Sequence, residues 1–237
     1  MGQTVWKYTP PFDDVIGGPG NRKLLKGTMK AGWFGEVKAS ELITGDELAR
    51  LIGLTAGTSQ YSNEPWLKFA YKGDILFIAK KPFRHSISWE EIEKVNAIYG
   101  DRLINHKGLK FALMLPRAIG EDVQPNPKVV SNVYNEAANY NSMWNKLMLP
   151  IHKNAPSNWR YKKNVNSPTE NWNVGYTDAD LIVESRAGKG SNSWCQEKVG
   201  NLYAILRGSG DISDSTKFYF SSRYPFCGWR PVLKLIE

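Results

Sequence analysis

Two cysteines and three histidines are all that the 237 residues hold of the side chains that most often bridge, bind metals or shuttle protons. Cys195 and Cys227 stand 32 residues apart with no Cys-x-x-Cys pair, which excludes a disulfide-dense small scaffold. They are expected either as reduced, partly buried thiols or as one bridge between two C-terminal elements. His85, His106 and His152 lack i, i+3 or i, i+4 partners and nearby acids, so no metal, cofactor or catalytic triad is expected. Long apolar runs are missing too: Ile75 to Ala79 is far shorter than the roughly 20 residues of a bilayer-crossing helix. The opening stretch MGQTVWKYTPPFDD has no basic region followed by an apolar one, and Trp6 breaks a myristoylation pattern. The chain is therefore expected to be made in the cytoplasm, without a membrane span.

Charge blocks are equally scarce. A net charge of +8 is spread as 17 basic and 12 acidic residues up to position 118, and 14 and 11 beyond it. Nucleic-acid binders concentrate Lys and Arg on one element, so no nucleic-acid partner is expected. The densest groups, Lys80, Lys81, Arg84 and Arg160, Lys162, Lys163, read either as solvated surface or as contacts for an acidic partner. The Gly-rich pieces Gly17-Gly18-Pro19-Gly20 and Gly188-Lys189-Gly190 fit no phosphate-loop spacing and read as turns.

What the chain has in quantity is apolar and aromatic side chains, 41% and 12% of the residues, with nine tryptophans. Residues 1 to 35 read as an extended arm with one short strand or hairpin. Thr44 and Glu47 form a capping box before a short helix stopped by Gly53. Trp66 to Ala79 alternates around Lys72-Gly73-Asp74 and predicts a β-hairpin. Ser88 to Glu91 is a second capping box, with a helix expected as far as Gly100. Leu109 to Leu115 predicts a strand stopped by Pro116, and Ala137, Tyr140, Trp144, Leu147 and Met148 keep a helical stripe closed by Pro150. Short strands follow in a Trp-, Asn-, Gly- and Ser-rich remainder. Helices early and strands late predict an α+β fold.

Nine tryptophans exceed what a core of this size hides completely, and Trp159, Trp172 and Trp194 sit among Asn-rich segments. Two uses fit. Rings beside amides can hold a sugar, the ring covering an apolar pyranose face and the amides taking its hydroxyls, or large rings can pin long loops.

From residue 66 on, ordered landmarks resemble a C-type lectin-like domain of the variant shared by formylglycine-generating enzymes and phage receptor-binding proteins. His85-Ser86-Ile87-Ser88-Trp89 is similar to its "VSW" start of the first helix, Leu113 to Arg117 to its "RLPT" strand end, and Ser142 to Leu147 to its "EW" helix. Ser193 to Glu197 falls at its central Trp-rich strand, and Gly228-Trp229-Arg230-Pro231-Val232-Leu233 is similar to its closing "GFRPVL". In that ending the Gly admits a close approach, the aromatic ring plugs the core and the Arg bridges strand and loop. The cysteine spacing departs from the close pair of the copper-binding branch. Gln124-Pro125-Asn126 and Trp144-Asn145-Lys146 echo lectin calcium motifs, but Lys146 replaces the needed Asp, so calcium is not expected.

The stretch Phe34 to Ala49, Trp66 to Phe69 and Leu76 to Pro82 also resembles tailed-phage virion proteins. That resemblance implies a non-enzymatic virion component. An N-terminal arm and docking region (1–65) would precede a C-type lectin-like domain (66–237) that presents loops for host-surface recognition, on a tail or tail fibre. A capsid or neck decoration protein is the alternative, and a formylglycine-generating-type enzyme the second. Implied partners are other virion proteins, further copies of the chain, and a host surface glycan or protein. Trp159, Tyr161, Trp172, Tyr176, Tyr219 and Tyr224 are the candidate contact residues.

Overall fold

The computed structural model describes residues 17–131, 141–153, 170–183 and 188–236. Thirteen strands and four short helices are found among them. In chain order they are β1 (Lys26–Gly27), β2 (Ala31–Val37), α1 (Gly45–Ile52), β3 (Thr58–Ser59), β4 (Trp66–Tyr71), β5 (Asp74–Ala79), β6 (Arg84–His85), α2 (Trp89–Lys94), β7 (Tyr99–His106) and β8 (Leu109–Met114). Then come α3 (Met143–Leu147), α4 (Asp178–Leu181), β9 (Asn192–Val199), β10 (Tyr203–Arg207), β11 (Ser215–Tyr219), β12 (Cys227–Trp229) and β13 (Val232–Leu235). The fold is mixed α+β and mostly sheet.

Local chemistry accounts for several of these elements. The β4–β5 hairpin turns through Lys72 and Gly73, both at positive φ (56° and 88°), the pairing that matches the twist of the strands it joins. Helix α2 begins at a capping box in which the Ser88 side chain accepts from the Glu91 N–H and the Glu91 carboxylate accepts from the Ser88 N–H. Thr44 caps α1 with the first half of such a box, its side chain accepting from the Glu47 N–H, and Gly53 ends the helix in the left-handed region.

The larger sheet has seven strands in the order β1-β2-β4-β5-β13-β8-β7, all antiparallel neighbours. The smaller has six in the order β11-β10-β9-β12-β6-β3, with β12 and β9 parallel. One core lies between the sheets: Trp66, Phe77, Phe111 and Leu233 meet Trp194, Leu206 and Trp229, with Leu48 of α1 and Ile92 of α2. A second core covers the opposite face of the larger sheet, where Phe69, Ile78 and Val232 pack against Trp144 and Leu147 of α3 and against Trp172 and Leu181. Burial from both sides explains why every residue of β4 is buried.

Three expectations need correction. The boundary at 65/66 falls inside one hydrogen-bonded sheet, because β2 pairs with β4 from Ala31↔Tyr71 to Val37↔Trp66 and Leu42 and Leu48 share the main core. The helix expected to run to Gly100 stops at Lys94, since Asn96 takes φ 58° and Tyr99 begins strand β7. Of the helical stripe up to Leu149 only α3 is helical among the described residues, and residues 132–140 lie outside them. No helix among the described residues is long and apolar enough to cross a membrane.

The closing motif is placed as its residue types require. A Cβ on Gly228 would stand 2.8 Å from the Asn192 carbonyl oxygen and 3.0 Å from Pro82 Cβ, so only Gly lets β12 lie between β9 and β6. The buried Arg230 guanidinium donates to Ser193 Oγ (3.0 Å), to the Lys80 carbonyl (3.0 Å) and to the Leu181 carbonyl, bridging strand and loops. Burial holds its pKa down to about 9.

Candidate functional site

The seven described tryptophans are all buried, none above 4% exposed, while Trp6 and Trp159 lie outside the described residues. Four of them also use the indole N–H to hold a distant carbonyl. Trp66 donates to the Ile43 carbonyl (2.7 Å), Trp89 to Cys195, Trp144 to Ile212 and Trp194 to Ile87 (2.8 Å each). Each ring fills core while its polar corner ties a distant segment. Trp144 is also flanked by two guanidinium groups, Arg207 at 5.5 Å and Arg230 at 5.2 Å from the ring centre. These rings pin loops.

Trp172 therefore leaves the set of contact residues. It is 4% exposed, packs against Phe69, and donates to Glu170 Oε2 at 3.0 Å. Tyr176 is beside it, edge-on to Trp33, and is half-buried. Its hydroxyl donates to Glu36 Oε1 at 2.6 Å, and Lys80 Nζ sits 2.7 Å from the same oxygen and 5.0 Å from the Tyr176 ring centre. Burial first, then the bond to Glu36, pushes the phenol well above its ordinary range. Tyr176 fastens the 170–177 segment to β2. Trp159 and Tyr161 lie outside the described residues, as do Arg160, Lys162 and Lys163.

Tyr219 and Tyr224 remain, both at the outer edge of the smaller sheet and in two ring clusters on opposite sides of it. Strand β11 is that edge. It is positioned by the 208–214 connection, where Asp211 Oδ1 accepts from the N–H groups of Ser213 (2.8 Å) and Asp214 (3.0 Å), and Gly208 N–H donates to the Asp214 carbonyl. Tyr203 stands directly opposite Tyr219, with ring centres 4.9 Å apart. On the next position Phe218 meets Tyr224 at 5.3 Å and Phe226 at 5.1 Å, and Tyr224 stacks on Phe226 at 5.5 Å and 10°. Alternation along β11 thus puts rings on both sides of one strand edge.

The rings are held firmly and still face solvent. Tyr219 is 47% and Tyr224 54% exposed. The segment behind them is anchored by Cys227 N–H to the Tyr224 carbonyl (2.9 Å), Gly190 N–H to the Pro225 carbonyl (2.7 Å) and an Arg223–Glu91 ion pair. Lys217 Nζ lies 5.2 Å from the Tyr203 ring centre, and the hydrogen bond between the Tyr203 and Tyr219 side chains raises the Tyr219 phenol. Apolar ring faces with hydroxyls and an ammonium at their margin can cover a sugar face and bond its hydroxyls. Tyr203, Lys217 and Phe226 escape sequence reasoning because only the pairing of β10 with β11 and the return of the chain at 226 bring them to this edge.

Other candidates resolve into structure. Lys80, Lys81 and Arg84 are engaged with Glu36, the Tyr61 ring and the Ala56 and Gly57 carbonyls. Gln124 donates to the Val129 carbonyl, and its own carbonyl accepts from Arg117. No group of three or more His, Cys, Asp or Glu suited to a metal ion occurs among the described residues. Cys195 and Cys227 are free, fully buried thiols, not a bridge; burial pushes Cys227 up to about 12 and Cys195 well above its ordinary value.

No protein-family model, curated protein or solved structure matches the chain.

Proposed function

We propose that this chain is a structural component of a bacteriophage virion, tail or tail-fibre associated, whose exposed aromatic edge recognises a host-surface glycan. The observation that carries the recognition half is the ring set Tyr203, Tyr219, Tyr224 and Phe226: anchored from behind, yet with two tyrosines about half exposed. Rigid exposed rings give contact area at little ordering cost, which is what weak saccharide binding needs. The lectin-like reading of the fold is supported by the closing Gly228-to-Leu233 motif, which threads β13 between β5 and β8 and hangs loops on Arg230. The formylglycine-generating reading requires an accessible thiolate, and burial of both thiols argues against it.

The virion half is tested by mass spectrometry of purified particles from the phage that encodes the chain. The expected result is the chain as a stoichiometric particle component; its absence from intact particles overturns the reading.

A further inference from the structure

The larger sheet ends in the β1–β2 hairpin, apart from the aromatic edge on the smaller sheet. From 17 to 35 the chain carries Arg22, Lys23, Lys26 and Lys30 and no Asp or Glu, in a protein with a formal net charge of +8. Every residue from 22 to 30 except Leu24 is exposed. Lys72, Lys80, Lys128, Lys198 and Lys234 each pair with a carboxylate, whereas Lys23, Lys26 and Lys30 form no ion pair among the described residues. Arg22 is already engaged. Interleaved with the three lysines are two large apolar side chains in solvent, Leu25 at 54% and Met29 at 43% exposed.

The backbone that presents them is held from behind. Leu25 N–H donates to the Trp33 carbonyl and Thr28 N–H to the Ala31 carbonyl (2.8 Å each), which closes the hairpin. The neighbouring β4–β5 turn then donates Lys72 N–H to the Lys30 carbonyl and Gly73 N–H to the Met29 carbonyl (2.9 Å each). Cations and apolar tips thus stand on ordered chain.

The residue types select the partner. Protein interfaces favour Arg and aromatic rings and are poor in Lys, and single-stranded nucleic acids are held by ring stacking, yet residues 22–30 contain no ring and no free Arg. Ammonium groups on flexible stems suit a field of anionic headgroups rather than one fixed carboxylate. Exposed Leu and Met gain nothing from a phosphate backbone and much from an acyl boundary.

We propose that the β1–β2 hairpin is a docking surface for an anionic lipid bilayer. Lys23, Lys26 and Lys30 pair with headgroup phosphates, their stems lying along the interface, while Leu25 and Met29 enter the boundary between headgroups and acyl chains.

The test is co-sedimentation of the full chain with vesicles of phosphatidylglycerol and phosphatidylcholine in equal parts, against phosphatidylcholine alone, with poly-glutamate and a DNA duplex titrated as competitors. The chain is expected to pellet with the anionic vesicles only, and less so as salt rises. The triple variant Lys23→Gln, Lys26→Gln, Lys30→Gln should weaken binding about a hundredfold, at about fivefold for each lysine. Leu25→Ser with Met29→Ser should weaken it about tenfold although no charge changes. All five side chains are exposed, so far-UV spectra that match the wild type are expected. No pelleting with anionic vesicles, equal pelleting with neutral ones, or full binding by either variant overturns the proposal. Tighter binding to poly-glutamate or to the duplex than to the vesicles also overturns it, and assigns the hairpin to an acidic protein or a nucleic acid.

Discussion

Lys68 shows how one side chain can fix a segment that has no secondary structure of its own. It lies on the inner face of β4, fully buried, and its ammonium donates to the carbonyls of Gly18 (3.4 Å), Pro19 and Asn21. The Phe34 and Phe77 rings face it at 5.1 and 5.7 Å. Carbonyls and ring faces favour the charged form, whereas burial, the larger influence, and the nearby Arg22 oppose it and bring Lys68 down to about 8 from 10.5. Between those two values the unfolded chain therefore binds more protons than the folded one, so the Lys68 contribution to stability grows as pH rises through that window. Melting curves should show the gap between the wild type and Lys68→Met moving in favour of the wild type from about pH 8 to 10.5. A gap that is flat or moves the other way contradicts this role. In the sequence Lys68 is merely the third residue of an alternating strand, and nothing local says that its partners are the carbonyls of Gly18, Pro19 and Asn21.

At the scale of elements, α3 and the loops around it depend on Trp144. Its ring sits between Arg207 and Arg230, its N–H holds the Ile212 carbonyl, and Arg207 in turn donates to Asn145 Oδ1 at 2.7 Å. Trp144→Phe keeps most of the buried area but removes the hydrogen bond and weakens both cation contacts. Urea unfolding should show a loss of roughly 2 kcal/mol with an unchanged dependence on denaturant. A change under about 0.5 kcal/mol would mean that the Arg-Trp-Arg stack does not hold these loops. A comparable device joins β9 to the 117–119 segment. Buried Glu197 accepts from the N–H groups of Ala118 (3.0 Å) and Ile119 (3.3 Å) and from Arg117 Nε (3.2 Å), and burial still raises its carboxyl.

Elements with local signals were legible in the sequence: the β4–β5 hairpin from its turn, α1 and α2 from their caps, β8 from the proline after it. Strand β7 was not, because Asp101 and Arg102 interrupt its alternation and Gly100 reads as a helix stop. The insertion of β2 beside β4 was also hidden, since strand periodicity states a face and never a partner. For the site, Tyr219 and Tyr224 were legible as aromatics in an irregular region. Trp172 and Tyr176 read as contacts because what covers them, Phe69 for the first and Trp33 with Glu36 for the second, becomes a neighbour only in the fold.

Over the whole molecule, a larger sheet is packed on both faces, and the smaller sheet ends at the solvent-facing edge strand β11. Open strand edges invite pairing with other chains, and β11 carries exposed Lys217 near its centre, a charge that discourages such pairing while leaving the rings beside it accessible. Stability and the proposed recognition are thus separable by experiment: Tyr219 and Tyr224 lie outside the buried cores and can be truncated without opening them. The most direct measurement is binding of the full chain to an array of bacterial surface glycans, wild type against the double variant Tyr219→Ala, Tyr224→Ala with matched far-UV spectra. Retention of the wild type on at least one glycan class, weakened about tenfold or more in the double variant at a stability within about 1 kcal/mol, is the predicted result. No retention of the wild type, or retention that the double variant keeps in full, would contradict a recognition role for the aromatic edge.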